Sequence, residues 1–448
     1  MTLQKLRFLA VLILFVFHGT SQAVPAIQHW ITNNGARVYF VPAAEIPIVD
    51  VRVVFDAGSA RDHGKSGLAT LTNSLIIHGA GKLDYNTISE RLDQVGAQMD
   101  AGALRDMAWL SMRTLSDEAK LGESMGILSL ILSKPLFPDN AFNREKKVML
   151  VGLAAEKQKP SAIAERAFMK HLYGDHPYAS SPNGTVDSVN SIQPADVRAF
   201  YDRYYVANNA VIAIVGDLDR SNAQTLAEKL SSGMKSGKRA ESIPPVPTLT
   251  EAKTVHMEHP STQTHIWMGQ PGMSRTEKDY FPLYIGNHTL GGSGLVSLLS
   301  EEVREKRGFA YSVYSYFSPM RGKGPYEMVL QTKNEHAMEA MSVMRDTARD
   351  YLASGITKEQ LKASKQNITG GFALRIDSNK KIAEYLAMIG FYGLPLDYLN
   401  NFISRVEAVT QEQVNDAFRR RVDPDKMLTV IVGPKMTEKN TASAATHR

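Results

Sequence analysis

The hydrophobic positions of the chain follow two different periods. An apolar-rich segment at 38–59, interrupted by a turn that contains proline, predicts two strands, whereas a helical period begins near Gly67. Longer helical patterns follow at 87–95, 118–133 and 139–158. Because strands and helices do not alternate in the regular order that builds a parallel sheet, the pattern favours an α+β sandwich over a doubly wound fold.

One helix–turn–strand pattern occurs twice along the chain. Segments 196–216 and 413–433 each contain a helical stretch with an aromatic residue near its end, a turn, and a β-branched strand closed by glycine. The tripeptide Ile-Val-Gly ends both strands, at 214–216 and at 431–433. This similarity indicates a duplicated domain, and two matched halves usually enclose a cleft.

A segment rich in proline and polar residues, 236–253, separates the two halves. Its composition cannot hold a helix or a central strand, so it is predicted to be a linker. The first domain is accordingly placed at 27–235 and the second at 254–434. The last segment, 435–448, consists mainly of small and polar residues and is predicted to be a disordered tail.

The first 23 residues have the pattern of a signal peptide. Lys5 and Arg7 precede an apolar run at 8–17, and small residues at Ser21 and Ala23 form a cleavage site, so cleavage is expected after Ala23. Neither this run nor any later segment approaches the roughly 20 apolar residues of a transmembrane helix. The mature chain is therefore expected to be exported, with no stable membrane insertion.

Charge and cysteine content exclude several classes of function. The formal net charge is +5, and losing Lys5 and Arg7 with the predicted signal peptide leaves about +3. This is too small for electrostatic binding of nucleic acid, and basic residues form no stripe with interleaved aromatics. The chain has no cysteine, which excludes disulfides, thiol catalysis and thiolate metal sites.

A Gly-Lys-Ser tripeptide at 64–66 resembles part of a phosphate-binding loop. Such a loop requires a glycine followed by four residues and then Gly-Lys-Ser/Thr. Here Gly58 is one residue too early and Ser59 occupies the required position. The segment is therefore interpreted as a loop that leads into the next helix.

That next helix carries a polar face formed by Thr70, Asn73 and Ser74. Their spacing of i, i+3 and i+4 is the one on which an H-x-x-E-H helix presents two histidines to zinc and a glutamate to water. Hydroxyl and amide groups bind zinc poorly and cannot take a proton from water. Taken alone, the three residues fit an ordinary, partly solvated helix face.

Histidines elsewhere do not form a convincing metal site. His256 and His259 have helical ligand spacing, but their segment is predicted to be extended and broken at Pro260, and residues i and i+3 of a strand point to opposite faces. His63 and His78 flank the helix of Thr70 without partners at a workable spacing. All four are interpreted as structural or exposed.

Five segments resemble, in order, landmarks of the M16 peptidase family, the pitrilysin, insulysin and mitochondrial-processing-peptidase group. They are DAGSARDHGKSGLATLTNSLIIHGAGK at 56–82, FNREKKVMLVGLAAEKQKP at 142–160, HLYGDHPYASSPNGT at 171–185, YDRYYVANNAVIAIVGDLD at 201–219 and EEVREKRGFAYSVYS at 301–315. The resemblance implies two homologous α/β sandwich domains, an α+β fold with antiparallel-rich sheets, that form a clamshell around an extended peptide.

The resemblance also implies what the polar helix face has replaced. In active members, two histidines of H-x-x-E-H and a glutamate of a later helix hold zinc. Thr70 and Ser74 fall at the histidine positions, Asn73 at the general base and Gly152 at the third ligand, whereas Glu145 is retained. The resemblance thus implies that this chain binds no metal and does not hydrolyse peptides alone.

The second half retains a pair of residues that the family uses on its substrate. Arg304 and Tyr311 match the family pattern R-x6-Y, which the resemblance implies reaches the scissile peptide. A guanidinium can donate to peptide carbonyls, and a phenol can stabilise an oxyanion. The preceding glycine-rich segment, 291–298, departs from the family pattern and suggests a flexible loop near the substrate path.

A chain with R-x6-Y and no zinc motif is similar to one member of the two-component M16 systems. The leading hypothesis is a periplasmic subunit that complements a homologous H-x-x-E-H partner, which carries the zinc, in degrading extended peptides. The alternative is a stand-alone pseudopeptidase that binds peptides, or serves a structural role, without proteolysis.

Overall fold

The structure is a computed structural model and describes residues 26–435. The predicted signal peptide and all of the predicted tail except its first residue lie outside the described residues. Within the described part, no helix is both long enough and apolar enough to cross a membrane.

Six strands of the first half form one sheet. They are β1 (Gln28–Ile31), β2 (Arg37–Pro42), β3 (Ile48–Phe55), β6 (Gln98–Ala103), β7 (Ala108–Leu115) and β8 (Ala210–Gly216), while β4 (Gly79–Ala80) and β5 (Leu83–Asp84) pair separately. The order is β1-β2-β8-β3-β7-β6, with β2 and β8 parallel and the other neighbours antiparallel. Every residue of β8 is buried, which agrees with its continuous apolar run.

Helices of the first half follow the predicted periods closely. They are α1 (Leu68–Leu75), α2 (Tyr85–Gln94), α3 (Glu118–Ser133), α4 (Asp139–Glu156), α5 (Pro160–Tyr173), α6 (Val186–Ser191), α7 (Pro194–Tyr204) and α8 (Arg220–Ser231). The helical patterns predicted near Gly67 and at 87–95, 118–133 and 139–158 are thereby confirmed as α1 to α4. Asp84 and Asp117 cap α2 and α3, since each side chain accepts from a backbone amide of the first turn.

The second half builds a smaller sheet. Its strands are β9 (Lys253–Glu258), β10 (Gln263–Pro271), β11 (Ala310–Phe317), β12 (Pro325–Lys333) and β13 (Leu428–Gly433), in the order β11-β12-β10-β13-β9. Its helices are α9 (Tyr280–Asn287), α10 (Ala337–Ser354), α11 (Lys358–Gly370), α12 (Asn379–Tyr392), α13 (Phe402–Ala408) and α14 (Gln411–Arg421). Two π-helical turns, His288–Gly292 and Ser300–Glu305, lie between α9 and β11.

The duplicated pattern corresponds to equivalent elements of the two halves. Helix α7 leads into β8, helix α14 leads into β13, and both strands are fully buried. Segment 236–252 contains no helix or strand, in agreement with its composition. The α+β class with two related halves is therefore confirmed.

Each sheet is covered by a helix from the other half. Helix α12 packs on β2, β3 and β8 of the first sheet, and helix α5 packs on β10 and β13 of the second. At Gly390 of α12, an added Cβ would lie 2.5 Å from the ring of Tyr39, and at Gly269 of β10 it would lie 2.9 Å from Phe168 of α5. The two halves are thus interlocked in space, although the linker separates them in sequence.

A buried carboxylate also joins the halves. Asp106, in the turn between β6 and β7, accepts hydrogen bonds from the hydroxyls of Tyr178 (2.7 Å) and Tyr392 (3.0 Å) and from the backbone nitrogen of Arg321 (2.7 Å). Tyr178 in turn accepts from the backbone nitrogen of Gly322 at 2.8 Å. Breaking this network would leave a charged group buried without partners, which is costly.

Candidate functional site

Helix α1, which carries the polar face, is fixed at its N-terminus by Asp62. Gly67 precedes the helix with a φ of 95°, a left-handed conformation that favours glycine. The Asp62 carboxylate accepts from the backbone nitrogens of Gly67 (2.9 Å) and Ala69 (2.8 Å) and from the hydroxyl of Ser180 (3.2 Å). Burial raises the pKa of Asp62 to about 7, against the effect of these three donors.

Two hydroxyls of the polar face bond to backbone carbonyls. Thr70 Oγ1 donates to the carbonyl of Pro182 at 2.6 Å, and Ser74 Oγ donates to the carbonyl of Thr70, one turn earlier, at 2.8 Å. Both residues are partly buried. The two positions that the resemblance equates with zinc-binding histidines therefore serve local hydrogen bonding.

Asn73, at the position of the general base, is a core residue. It is 2% exposed, accepts at Oδ1 from the hydroxyl of Tyr205 (2.9 Å) and donates from Nδ2 to the carbonyl of Trp109 (3.3 Å). A carboxylate here would place an oxygen against the Trp109 carbonyl and lose that bond. Asn73 therefore satisfies two buried polar groups and has no basic group for proton transfer.

Gly152 and Glu145 both lie on α4, as the resemblance implied. Gly152 is exposed, and an added Cβ would meet nothing within 4 Å, so close packing does not explain the glycine. The Oε1 atom of Glu145 lies 3.2 Å from Nε2 of His78 and 3.2 Å from Nε of Arg144. The retained acidic residue is thus held by two basic side chains.

His78 is a structural residue, as the sequence suggested, and its two partners come from α4. Its Nδ1 lies 3.0 Å from a guanidinium nitrogen of Arg144, which can only donate, so the neutral ring carries its proton on Nε2, facing Glu145. Burial lowers the pKa of His78, and the charge of Glu145 opposes that shift. The spacing along the chain gave no sign of this three-residue cluster.

The described residues contain no group of three or more histidine, aspartate or glutamate side chains placed to hold a metal ion. His256 lies on β9 and His259 follows it, in the predicted extended segment. His63 bonds to the hydroxyl of Tyr204 at 2.7 Å. That the chain binds no zinc stays a prediction.

Arg304 and Tyr311 meet at the edge of the second sheet. Arg304 lies in the π-helical turn Ser300–Glu305, and Tyr311 lies where the pairing of β11 with β12 is interrupted between Ala310 and Ser312. The guanidinium carbon of Arg304 is 5.4 Å from the centroid of the Tyr311 ring, a cation–π contact. Because Tyr311 falls at this irregularity of an edge strand, its side chain is 83% exposed.

The pair and the polar face of α1 do not share partners within the described chain. The hydrogen bonds of Thr70, Asn73 and Ser74 all stay within the first half. Arg304 contacts Tyr311 and, at 3.4 Å, the carboxylate of Glu305. The structure therefore joins Arg304 to Tyr311, while the altered metal-binding positions form a separate cluster.

The glycine-rich segment is more ordered than the sequence suggested. It is wound into the π-helical turn His288–Gly292 and the 3-10 turn Gly294–Val296, rather than an irregular loop. At Gly291, an added Cβ would lie 2.3 Å from Oγ of Ser315 on β11, so glycine allows the close approach of this turn to the strand. Leu295 and Val296 project from it into solvent.

A large cavity lies between the two halves, where the duplication predicted a cleft, but sequence reasoning did not find the residues that line it. Its volume is about 830 Å³, and the residues that line it include Arg105 and Glu165 of the first half and Arg275 and Glu327 of the second. A signal was present for Glu327, since it is an acidic residue inside the apolar run of β12. The position of the other three depends on how the halves pack.

Two arginines of the cavity wall are stacked on tyrosines. The guanidinium carbon of Arg275 lies 5.5 Å from the ring centroid of Tyr392, and that of Arg375 lies 5.8 Å from that of Tyr284. These contacts hold two positive charges on the part of the wall that the second half provides.

Two α+β halves, each sheet covered by a helix of the other half, define a class of protein that comparison identifies. Residues 37–186 match the family model "Insulinase (Peptidase family M16)", and residues 191–368 match "Peptidase M16 inactive domain". A crystal structure described as a peptidase M16 inactive domain from Pseudomonas fluorescens is 37% identical, covers 92% of this chain and 98% of its own, and superposes with a TM-score of 0.89. The chain belongs to the M16 peptidase family, as the sequence landmarks implied.

More distant relatives carry names of two kinds. "Uncharacterized zinc protease YmxG" of Bacillus subtilis is 24% identical and matches over 90% of this chain and 98% of that protein. "Non-peptidase homolog YmxG" of Helicobacter pylori is 22% identical and matches over 97% of this chain and 100% of that protein. These relatives thus include one named a zinc protease and one named a non-peptidase homolog.

Proposed function

We propose that this chain is the zinc-free subunit of a two-component M16 peptidase. Its Arg304 and Tyr311 would contact peptides that are held at the zinc of a homologous partner. The observation that carries the proposal is the placement of Tyr311. Its phenol is 83% exposed at an edge strand, with the Arg304 guanidinium 5.4 Å from its ring. Such a pair can donate to a peptide carbonyl and to a developing oxyanion.

The strand that carries Tyr311 offers a way to hold an extended peptide. Strand β11 is the edge of its sheet and pairs only with β12 among the described strands. This outer edge is occupied at Ser315, whose carbonyl accepts from Asn287 Nδ2 at 2.9 Å, but around Tyr311 it can accept one more strand through backbone hydrogen bonds. Tyr311 and Tyr314 are both exposed. The expected substrate is therefore an unfolded peptide or a short protein in extended form.

The hydrogen bonds and ion pairs of the first half support the proposal that this chain needs a partner. Thr70, Asn73 and Ser74 are used in local hydrogen bonds, and Glu145 is held by His78 and Arg144. A family relative from Helicobacter pylori is named a non-peptidase homolog. Zinc and the general base are accordingly assigned to a partner with an intact H-x-x-E-H motif.

The proposed compartment is the periplasm, and it rests on the first 23 residues of the sequence. If the segment is a cleaved signal peptide, the protein recovered from a periplasmic fraction begins at Val24. N-terminal sequencing of the recovered protein tests this directly. Recovery of the full-length chain from the cytoplasm would contradict export.

The deciding experiment is co-expression with an H-x-x-E-H homologue encoded in the same genome. We expect the two chains to elute together and to hydrolyse an unfolded peptide that neither hydrolyses alone. Elemental analysis should find zinc in the complex and in the partner, and none in this chain purified alone. Stoichiometric zinc in the single chain, or a partner equally active without it, would contradict the proposal.

A second candidate function is a pseudopeptidase that binds peptides, or serves a structural role, without any proteolysis. The name of the Helicobacter pylori relative favours it. In that case the isolated chain would bind an extended peptide, and no H-x-x-E-H homologue would gain activity from it. The co-expression experiment therefore separates the two candidates.

A further inference from the structure

Glu327 is a buried carboxylate with an unused hydrogen-bonding atom. It lies on β12, is 3% exposed and lines the cavity of about 830 Å³ between the two halves. Its Oε2 has no hydrogen-bond partner among the described residues. Buried polar groups are nearly always paired, so an unpaired carboxylate oxygen in a cavity indicates a site for a donor from outside the chain.

The surroundings of Glu327 select the charge of that donor. Tyr316 lies directly opposite Glu327 in the pairing of β11 with β12, and its hydroxyl hydrogen-bonds to the carboxylate. Glu165 of α5 lines the same cavity, and its negative charge opposes ionisation of Glu327. Arg105 acts in the opposite direction. Close to Glu327, two carboxylates and one guanidinium leave a local negative charge when all three are ionised, while Asp106, Arg275 and Arg375 bring the charges of the whole wall into balance.

The walls also suit a cation. Tyr314 and Tyr316 stack with ring centroids 5.8 Å apart, and Met169 and Tyr316 both line the cavity. Aromatic faces attract cations, and methionine adapts to flexible aliphatic chains. Glu165 is exposed as well as lining the cavity, so the cavity is connected to solvent.

We propose that this cavity binds an organic cation, a guanidinium or primary ammonium group on a short aliphatic chain, with the Glu327 carboxylate as the acceptor. The group is either a free small molecule or the basic side chain of a peptide. Arg275 and Arg375 line the same cavity and can receive a carboxylate of the same ligand. The site is separate from the zinc-partner function, because the isolated chain contains all of it.

Because the pKa of Glu327 is raised, ligand binding is expected to release protons. Burial raises the pKa of Glu327 to about 7, with Glu165 raising it further and Tyr316 and Arg105 lowering it. The cavity wall also includes Asp106, which has three donors, and His288, which bonds to Ser364 and Asn367. A bound cation favours ionised Glu327, so binding at pH 7 should release roughly half a proton.

The test is isothermal titration of the purified single chain with three probes that share a guanidinium. Agmatine has no carboxylate, L-arginine has one, and a terminally blocked Ala-Arg-Ala peptide presents the group as a side chain. Saturable binding of any probe, weakened at least tenfold by Glu327→Gln and unchanged by Glu90→Gln at an exposed position, supports the site. Preference for L-arginine over agmatine assigns the carboxylate to Arg275 and Arg375, and preference for the peptide assigns a peptide source.

The wild-type chain provides a second measurement that does not depend on a variant. Titration at pH 7 in two buffers of different ionisation enthalpy measures the released protons, and we expect a value near one half for the wild type. Absence of binding by all three probes at millimolar concentration would overturn the proposal. Equal binding by Glu327→Gln would also overturn it.

Discussion

The Nε2 atom of His78 lies 3.2 Å from Oε1 of Glu145. Glu145 is the acidic residue of α4 that the resemblance marks as retained. Arg144 contacts both residues, at 3.0 Å from His78 and 3.2 Å from Glu145. The Glu145 carboxylate is thus held between two basic side chains. If the family positions are those that the resemblance implies, zinc binding would require new ligands at the other three.

Replacing the three family ligand positions should restore zinc binding. We expect Thr70→His, Ser74→His and Gly152→Glu together to bind zinc in about equal molar amount, because two histidines at i and i+4 lie on one helix face and Gly152 leaves open space for a longer side chain. Elemental analysis and competition with a chromogenic chelator measure this. The control keeps Gly152 with both histidines, and equal affinity in the two variants would contradict the expected role of position 152.

Removing the Tyr311 hydroxyl should slow the mixed complex without disturbing assembly. We expect Tyr311→Phe to lower kcat about 100-fold, since loss of one oxyanion donor typically costs that much. Peptide hydrolysis by the co-purified complex measures the rate, and gel filtration measures assembly. Tyr85→Phe, at an exposed position of the first half, is the control and should keep the wild-type rate. Equal rates for all three complexes would remove Tyr311 from the mechanism.

Two helical glycines should respond to alanine in opposite directions. Gly390→Ala should lower the free energy of unfolding by about 1–3 kcal/mol, because a Cβ there would lie 2.5 Å from the Tyr39 ring. Gly152→Ala should raise it by about 0.5–1 kcal/mol, since the position is helical, exposed and uncrowded. Urea unfolding of both variants measures the pair, and a stabilising Gly390→Ala would show that the halves are not tightly packed there.

Stability should depend on pH through Glu327. Its pKa is raised from 4.5 to about 7 in the folded chain, so between these values the folded state binds more protons than the unfolded state. Its contribution is present below pH 4.5 and is lost as the pH rises towards 7, by up to about 3 kcal/mol. Urea unfolding at pH 5 and 7.5 should show a smaller decrease for Glu327→Gln than for the wild type or for Glu90→Gln. An unchanged decrease would mean that Glu327 is ionised throughout.

Local patterns in the sequence predicted the elements well. The period starting at Gly67 and the repeated helix–turn–strand segments became α1, α7 with β8, and α14 with β13, because each is determined by residues close together in the chain. The covering of each sheet by α5 or α12 could not be predicted. The apolar face of a helix shows that it is buried, not which sheet buries it.

The candidate site divides in the same way. The family landmarks located Thr70, Asn73, Ser74 and Gly152, and the spacing of R-x6-Y located the second pair. His78 and Glu145 meet although they are 67 residues apart in the sequence, and no local pattern reports such a contact. Glu327 differs again. The sequence shows an acidic residue inside an apolar strand, but it does not show that this residue lines the cavity.

Helices α5 and α12, each of which covers the sheet of the other half, limit how a peptide could reach the interior of the chain. Drawing the two halves apart would pull α12 off the first sheet and α5 off the second, exposing the Tyr39–Gly390 contact and the buried ring of Phe168 to water. We expect the two halves to move together as one rigid body, with no hinge at the linker. Substrate would then enter a mixed complex at the interface between the two subunits.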